Sequence, residues 1–402
     1  MRFVIKFGGS SLSTIAKVKK VAKFISYFHK TKADELIVVV SAMGKTTDDL
    51  LKIAKKANSN KNCNMAELVC FGEKISANVL SLALENIGEE NTILYPENIR
   101  MFAKGNTNCS VLTHIETTNL LHALSQKKII IVPGFQAIDE TGKLCMLGRG
   151  GSDTTALALA SVLDAKTIIY TDVKGFYSAD PKVFKNAKQI ESLNISNAIE
   201  LASCGAKIME SSSLEIASSL SQDVEILKSQ TNKGTSLYTF PVKFFNVDAL
   251  SFKNNLFLLK SKDTNFPQFI ENLCKNQAKS IYFDQYYIKN AHLFCTVLDN
   301  FNPSLQKSTK DAIKMHKMKC EMITIVGSGF LSNEKLKSYL YKTCKKLNIF
   351  TFKISILPTT IKIITKPNQA LNLAKQLHKD MILRRDLAWD FLETIQHLLH
   401  HF

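Results

Sequence analysis

Four short apolar runs constrain this chain more than any other feature. FVIKF (3–7), LIVVVS (36–41), IIIVPGF (129–135) and TIIYTDV (167–173) are rich in β-branched residues and show little polar alternation. Strands of that kind are buried on both faces, as in a parallel sheet covered by helices. Helical patterns lie between and around them: IAKVKKVAKFISYFH (15–29), TDDLLKIAKKA (47–57), ELVCFGEKISANVLSLALENI (67–87) and DTTALALASVLDA (153–165). Strand, glycine turn and helix recur in that order, which predicts an α/β layer fold with a mainly parallel sheet. Ligands in such folds bind beyond the carboxyl ends of the strands, where the glycine turns of this chain cluster.

At 402 residues the chain is long enough for two or three units. After KGTSLYTF (233–240) the texture changes to shorter strands with few helices. The order strand-helix-strand-strand-helix-strand occurs about twice. The expected division is therefore residues 1–245 and 246–402. The second part would hold two small α+β units, about 250–315 and 316–385, and a C-terminal helix. On that helix Trp389 is expected to pack as an apolar anchor. The HLLHH run at 397–401 reads as a helix end with incidental histidines, not a metal site.

The net charge is +17, and residues 246–402 alone carry 23 Lys+Arg against 12 Asp+Glu. The lysines are dispersed among asparagines with no arginine-rich stripe or stacking aromatics, so nucleic acid is not the expected partner. Attraction of an anionic substrate is the milder consequence. Nine cysteines without a C-x-x-C pair argue against a disulfide framework or zinc site, and for reduced thiols in a cytoplasmic protein. No apolar run approaches the roughly 20 residues of a membrane span. The chain opens directly on a strand pattern, so no signal peptide is expected.

Lys6 stands at an apolar strand end, followed by Gly8-Gly9-Ser10-Ser11 and a helix. Glycine amides at a helix start form an anion site, to which Lys6 would add a point charge. A tight turn beside a snorkelling lysine explains that stretch equally well. A Walker loop is excluded, because the glycine required five residues before Gly44-Lys45-Thr46 is Val39. No G-x-G-x-x-G follows a strand. In LGRGGSDTTALALA, Arg149 and Asp153 flank a glycine pair at a helix start. They could clamp the carboxylate and ammonium of a free amino acid, or simply cap the helix. Glu73 offers a second carboxylate, which alone reads as a helix-surface charge. The loop YTDVKGFYSADPKV either holds a nucleotide through an aromatic and a lysine or is an ordinary connection.

Taken together, KFGGSS, VVSAMGKTTDDLL, FGEKISA, VPGFQA with GRGGSDTTA, YTDVKGFYSADPKV and CGAKIM resemble the aspartate kinases of the amino-acid kinase family, in that family's order. The resemblance spans residues 1–240. The later part is similar to the paired regulatory ACT domains of the family, most clearly at MITIVGSG. It implies a three-layer αβα kinase domain followed by two ACT-like βαββαβ units. It also implies ATP-dependent phosphorylation of the side-chain carboxylate of L-aspartate, with Mg2+ on the nucleotide and no resident metal. Lys6, Phe7, Gly8 and Gly9 fall on the family's phosphate-binding opening. Thr47, Glu73, Arg149 and Asp153 fall on its aspartate-binding positions, with Ser41 beside them. Thr171, Asp172, Tyr177, Lys182 and Lys207 fall on the nucleotide site. Lys6 and Asp153 are the expected catalytic pair. Lys182 stands where the family often has arginine, and GAKIMES where it usually has GAKVLHP. Feedback by lysine or threonine and a homodimer or larger assembly are expected. A related kinase acting on glutamate and a non-catalytic amino-acid sensor are the alternatives.

Overall fold

The computed structural model describes residues 1–58, 65–126, 128–206, 208–229, 231, 233–239, 245–268, 270–271, 279–288, 291–299 and 315–383. They form two compact units. The first comprises Met1–Phe176, Gln189–Ile199 and the described residues of 207–241. The second comprises Tyr177–Lys188, Glu200–Ala206 and the described residues of 242–402.

In chain order the first unit begins with β1 (Arg2–Phe7), α1 (Ile15–Lys32), β2 (Glu35–Val40), α2 (Thr46–Ala57), α3 (Ala66–Val69) and α4 (Phe71–Glu85). There follow β3 (Asn91–Ile93), β4 (Met101–Asn106), β5 (Cys109–Ile115), α5 (Thr118–Ser125), β6 (Ile129–Pro133), β7 (Gln136–Ile138) and β8 (Leu144–Met146). Next come α6 (Gly151–Leu163), β9 (Lys166–Thr171), β10 (Ser192–Asn194), α7 (Ile195–Ser203, of which residues from Glu200 onward count with the second unit), α8 (Ser211–Ser219), β11 (Val224–Lys228) and β12 (Gly234–Tyr238). Eight of these strands make one sheet in the order β10-β12-β11-β9-β1-β2-β6-β3. All pairs are parallel except β11 with β12. The four apolar runs are thus β1, β2, β6 and β9, adjacent at the centre where both faces are covered.

Strand alternation decides which helix each side chain meets. Phe3, Ile5 and Phe7 share a core with Val18, Val21, Ala22, Ile25 and Phe28 of α1 and with Ala77, Leu80 and Leu84 of α4. The α1 positions fall at helical spacing, and Thr14 caps the helix by accepting from the Lys17 amide at 3.3 Å. Phe7 stacks on Tyr170 of β9 with centroids 4.9 Å apart. The opposite sheet face meets α6, which packs on β1, β2 and β9.

Two features depart from the sequence reading. The single helix expected over 67–87 is broken at Cys70 into α3 and α4. The break falls where Gly72 approaches Ala42, at which a Cβ would lie 2.9 Å from the alanine methyl. A four-stranded sheet, β5-β4-β7-β8, was not visible in the sequence pattern.

In the second unit β13 (Asn246–Ser261), β14 (Lys279–Ile288), β15 (Ala291–Asp299), β16 (Met315–Ser328), β17 (Thr351–Ile356) and β18 (Thr360–Thr365) form an antiparallel sheet ordered β14-β15-β13-β16-β18-β17. Helices Glu334–Lys346 and Ala370–Leu377 accompany it. The 16-residue β13 and 14-residue β16 pair along nearly their whole length. One part of β13 pairs with β15 and one part of β16 with β18, so a single six-stranded sheet runs through this unit. The sequence boundary near 245 omits two earlier segments that belong to this unit. Ala179 and Phe184 are buried in its core with Leu250, Ile323, Leu336 and Ile363. The Leu250 amide donates to Ser178 O at 2.9 Å, and Ser251 Oγ donates to Cys204 O at 2.8 Å. Among the described residues no helix is long and apolar enough to cross a membrane.

Candidate active site

The parallel register aligns the carboxyl ends of the central strands. Phe7 lies opposite both Val40 and Tyr170, and Val40 lies opposite Pro133. The chain then turns at Gly8-Gly9 into a short 3-10 helix, Gly9–Leu12. Gly9 is required there, since a Cβ would sit 2.6 Å from Ala42 O, and its carbonyl accepts from the Gly44 amide at 2.9 Å. The Gly8 amide donates to Tyr170 O and the Ser11 amide to Gly8 O. Among the described residues the Gly9 and Ser10 amides have no acceptor. They are the pair this turn can present to an anion.

Lys6 points to the α6 face by alternation and is 8% exposed. Its Nζ lies 2.5 Å from Asp153 Oδ1. The contact is an ion pair without hydrogen-bond alignment, and Asp153 Oδ1 is otherwise unpartnered among the described residues. Asp153 sits in the first turn of α6, where the helix dipole favours a carboxylate. That turn is set by Gly150 at φ +74°, where any side chain would be strained and a Cβ would meet Ser213 Oγ at 2.4 Å.

Thr155 fixes α6 against β6. Its Oγ1 accepts from the Phe135 amide at 3.1 Å and donates to Gly151 O at 2.9 Å. Phe135 holds φ +71°, a costly conformation for an aromatic residue. Thr155→Val keeps the shape but leaves that amide unpaired, so a loss of about 1–2 kcal/mol is expected in urea unfolding.

Glu73 enters from the first turn of α4 and is 2% exposed. Its Oε1 accepts from the Ala42 amide at 3.2 Å and weakly from Thr47 Oγ1 at 3.4 Å. Its Oε2 is buried without a partner among the described residues. Burial pushes this carboxyl up to about 7, against the opposing effect of the hydrogen bonds it accepts. A buried acceptor that is half satisfied suits a donor arriving from outside the chain.

The remaining sequence candidates are spread more widely. Ser41 donates its amide to Phe7 O at 3.1 Å, so it lies at the strand-end level of Lys6. Arg149 is exposed next to Gly150 and has no ion-pair partner among the described residues. Thr171 Oγ1 donates to Asp172 Oδ1 at 3.2 Å at the end of β9. Tyr177 and Lys182 belong to the second unit, where the Lys182 amide donates to Asp180 Oδ1 at 2.9 Å. Lys207 lies outside the described residues. Sequence reasoning missed Ala42, whose amide orients Glu73, and Thr155, which has no distinguishing residue pattern beyond its place in GGSDTT.

The unit thus defined is a parallel α/β layer with a buried Lys–Asp pair and open glycine-turn amides at its strand ends. The model of the amino acid kinase family matches residues 1–228. Aspartokinase 2 of Bacillus subtilis is 30% identical over 396 residues, covering 93% of this chain and 96% of that protein. The chain belongs to the amino acid kinase family, in its aspartokinase group. The fold is shared with E. coli aspartokinase III in complex with lysine and aspartate (T-state), at TM-score 0.78 and 19% identity, covering 95% of this chain and 99% of that one. It is shared also with E. coli aspartokinase III in complex with aspartate and ADP (R-state), at TM-score 0.74 and 18% identity, covering 94% of this chain and 99% of that one.

Proposed function

We propose that this protein transfers the γ-phosphoryl group of ATP to the side-chain carboxylate of L-aspartate, giving 4-phospho-L-aspartate. The observation that carries the reading is the Lys6–Asp153 pair, held at 2.5 Å at a strand end beside two unpaired turn amides. A carboxylate acceptor is ionised at neutral pH, so the site needs no general base. The chemical demand is to bring two anions together and to neutralise charge on the transferred group.

Lys6, with the Gly8-Gly9 turn, takes the phosphoryl oxygens. Asp153 holds Lys6 in place and, with Glu73 Oε2, accepts from the substrate ammonium. Arg149 takes the α-carboxylate through its planar fork, with Thr47 and Ser41 alongside. Thr171, Asp172, Tyr177, Lys182 and Lys207 are assigned to the nucleotide from the sequence resemblance. Lys182 offers a point charge where the family often has a guanidinium. Among the described residues no cluster of three His, Cys, Asp or Glu is placed to hold a metal. This donor set fits Mg2+ carried on the nucleotide, with Asp153, paired to Lys6, as a protein carboxylate that could approach it. Mg2+ so bound would neutralise phosphate charge. We further assign a regulatory role to residues 246–402 with lysine or threonine as effector, a homodimer or larger assembly, and a cytoplasmic location.

The test is ADP release and hydroxylamine trapping by purified protein with Mg-ATP and L-aspartate, L-glutamate or N-acetylglutamate offered separately. Hydroxamate from aspartate alone is the expected result. Turnover with glutamate alone would reassign the acceptor. No turnover from a folded protein that still binds an amino acid would favour a sensor.

A further inference from the structure

Ser229 lies two strands away from the glycine turn and outside every motif discussed above. It follows β11, and its amide donates to Thr171 O at 2.8 Å. Its hydroxyl also donates to Thr171 O, at 3.1 Å, and lies 2.5 Å from the hydroxyl of Ser11. A hydroxyl has one hydrogen and a carbonyl none. The Ser229 hydrogen is committed to Thr171 O, so Ser229 Oγ must accept from Ser11. The chain therefore has one direction, from Ser11 Oγ–H to Ser229 Oγ–H to Thr171 O.

The two ends of this chain are distinct parts of the site. Ser11 is 8% exposed and belongs to the 3-10 turn that carries the open Gly9 and Ser10 amides. Thr171 ends β9 and leads into Asp172. Residues 11 and 229 are 218 positions apart in sequence, and their contact is a direct side-chain link between the glycine turn and the β11 end. The direction of the chain has a chemical consequence. With Ser229 donating to Thr171 O, the Ser11 hydroxyl hydrogen is turned toward Ser229 and away from the anion side of the glycine turn. Anion binding at that turn falls to Lys6 and to the Gly9 and Ser10 amides.

We infer that Ser229 is a positioning residue for nucleotide phosphates: beyond the bond of the Gly8 amide to Tyr170 O, it ties the Gly9–Leu12 segment of the turn, through Ser11, to Thr171 at the end of β9. The inference rests on the assignment of those two segments to ATP. Losing either hydroxyl would release the Ser11 end of the turn while Gly8 stays bonded to Tyr170 O, a shift of the Gly9 and Ser10 amides that costs phosphate contacts and leaves the Glu73 side of the site intact.

The experiment compares wild type with Ser229→Ala, Ser11→Ala, the double variant and Ser229→Thr. It uses the hydroxamate assay together with calorimetric binding of Mg-ADP. Each alanine variant is expected to raise the KM for ATP and the Kd for ADP about tenfold, with the KM for aspartate within about twofold. The double variant should match the singles, since one chain is broken in each case, and Ser229→Thr should recover most of the loss. Unchanged nucleotide constants in folded Ser229→Ala, equal shifts in both KM values, or additive singles would overturn the inference. If Ser229→Ala does not fold, Ser11→Ala carries the same test. Failure of wild type to turn over aspartate would instead sink the kinase reading, and the ADP measurement would still decide the role of Ser229.

Discussion

Lys6→Ala is expected to lower kcat for hydroxamate formation by about 10³-fold, the range seen when one preorganised charge partner of a transition state is removed. Lys6 is 8% exposed and its ammonium is held against Asp153, so it can act without reorganisation when charge develops on the transferred phosphoryl group. The KM for aspartate should change little, because Glu73, Thr47 and Arg149 remain. Stability complicates the interpretation, since removing Lys6 strands the buried carboxylate of Asp153 at a cost of several kcal/mol, about 3–5 where such pairs are fully buried. The pairing of Lys6→Met with Asp153→Asn separates the two effects. The double variant is expected to recover the urea midpoint lost in Lys6→Met and to remain inactive. Recovery of turnover together with stability would show that Lys6 serves the fold and not the chemistry.

How much of this was legible in the sequence depends on what each residue has to do. The central strands β1, β2, β6 and β9 are readable because a strand buried on both faces must be apolar throughout. Lys6 stands out against that background for the same reason. The hairpin β4–β5 was not readable: Cys109, Val111, Thr113 and His114 are exposed, so it lacks the apolar run that announces a strand. The 177–188 segment looked like part of the first domain because its composition is that of any βα loop. Its place in the second unit is decided by two apolar side chains, Ala179 and Phe184, finding a core contributed by residues beyond 245. Glu73 read as a surface charge from helical position alone. Its burial follows from the approach of Gly72 to Ala42, a tertiary contact no local pattern encodes. Ser229 and Thr155 were silent for a similar reason, as their roles are single hydrogen bonds made by common residues.

Glu73→Gln is expected to raise the KM for aspartate by about 30–100-fold, the cost of losing a charged partner for the substrate ammonium, while making the folded protein more stable at pH 8. The two effects have one origin. Burial holds the Glu73 carboxyl at about 7, against 4.5 unperturbed. Below about pH 4.5 the group is neutral in folded and unfolded chains alike and contributes no pH dependence. Between 4.5 and 7 the folded chain holds the proton more tightly, so stability falls as pH rises. By pH 8 the deficit from this one group is on the order of 3 kcal/mol. Substrate binding has the opposite sign, because only the ionised carboxylate can neutralise the ammonium at Oε2. The KM for aspartate should therefore fall as pH rises through about 7 in wild type and stay high and flat in Glu73→Gln. Urea unfolding at pH 5.5 and 8 should show the wild type losing stability between the two and the variant losing less. A glutamine variant less stable than wild type at pH 8 would mean that the carboxylate supports the fold, and its effect on KM would then be indirect. A variant that is more stable but binds aspartate poorly would mean that the site keeps a costly buried charge because the substrate needs it.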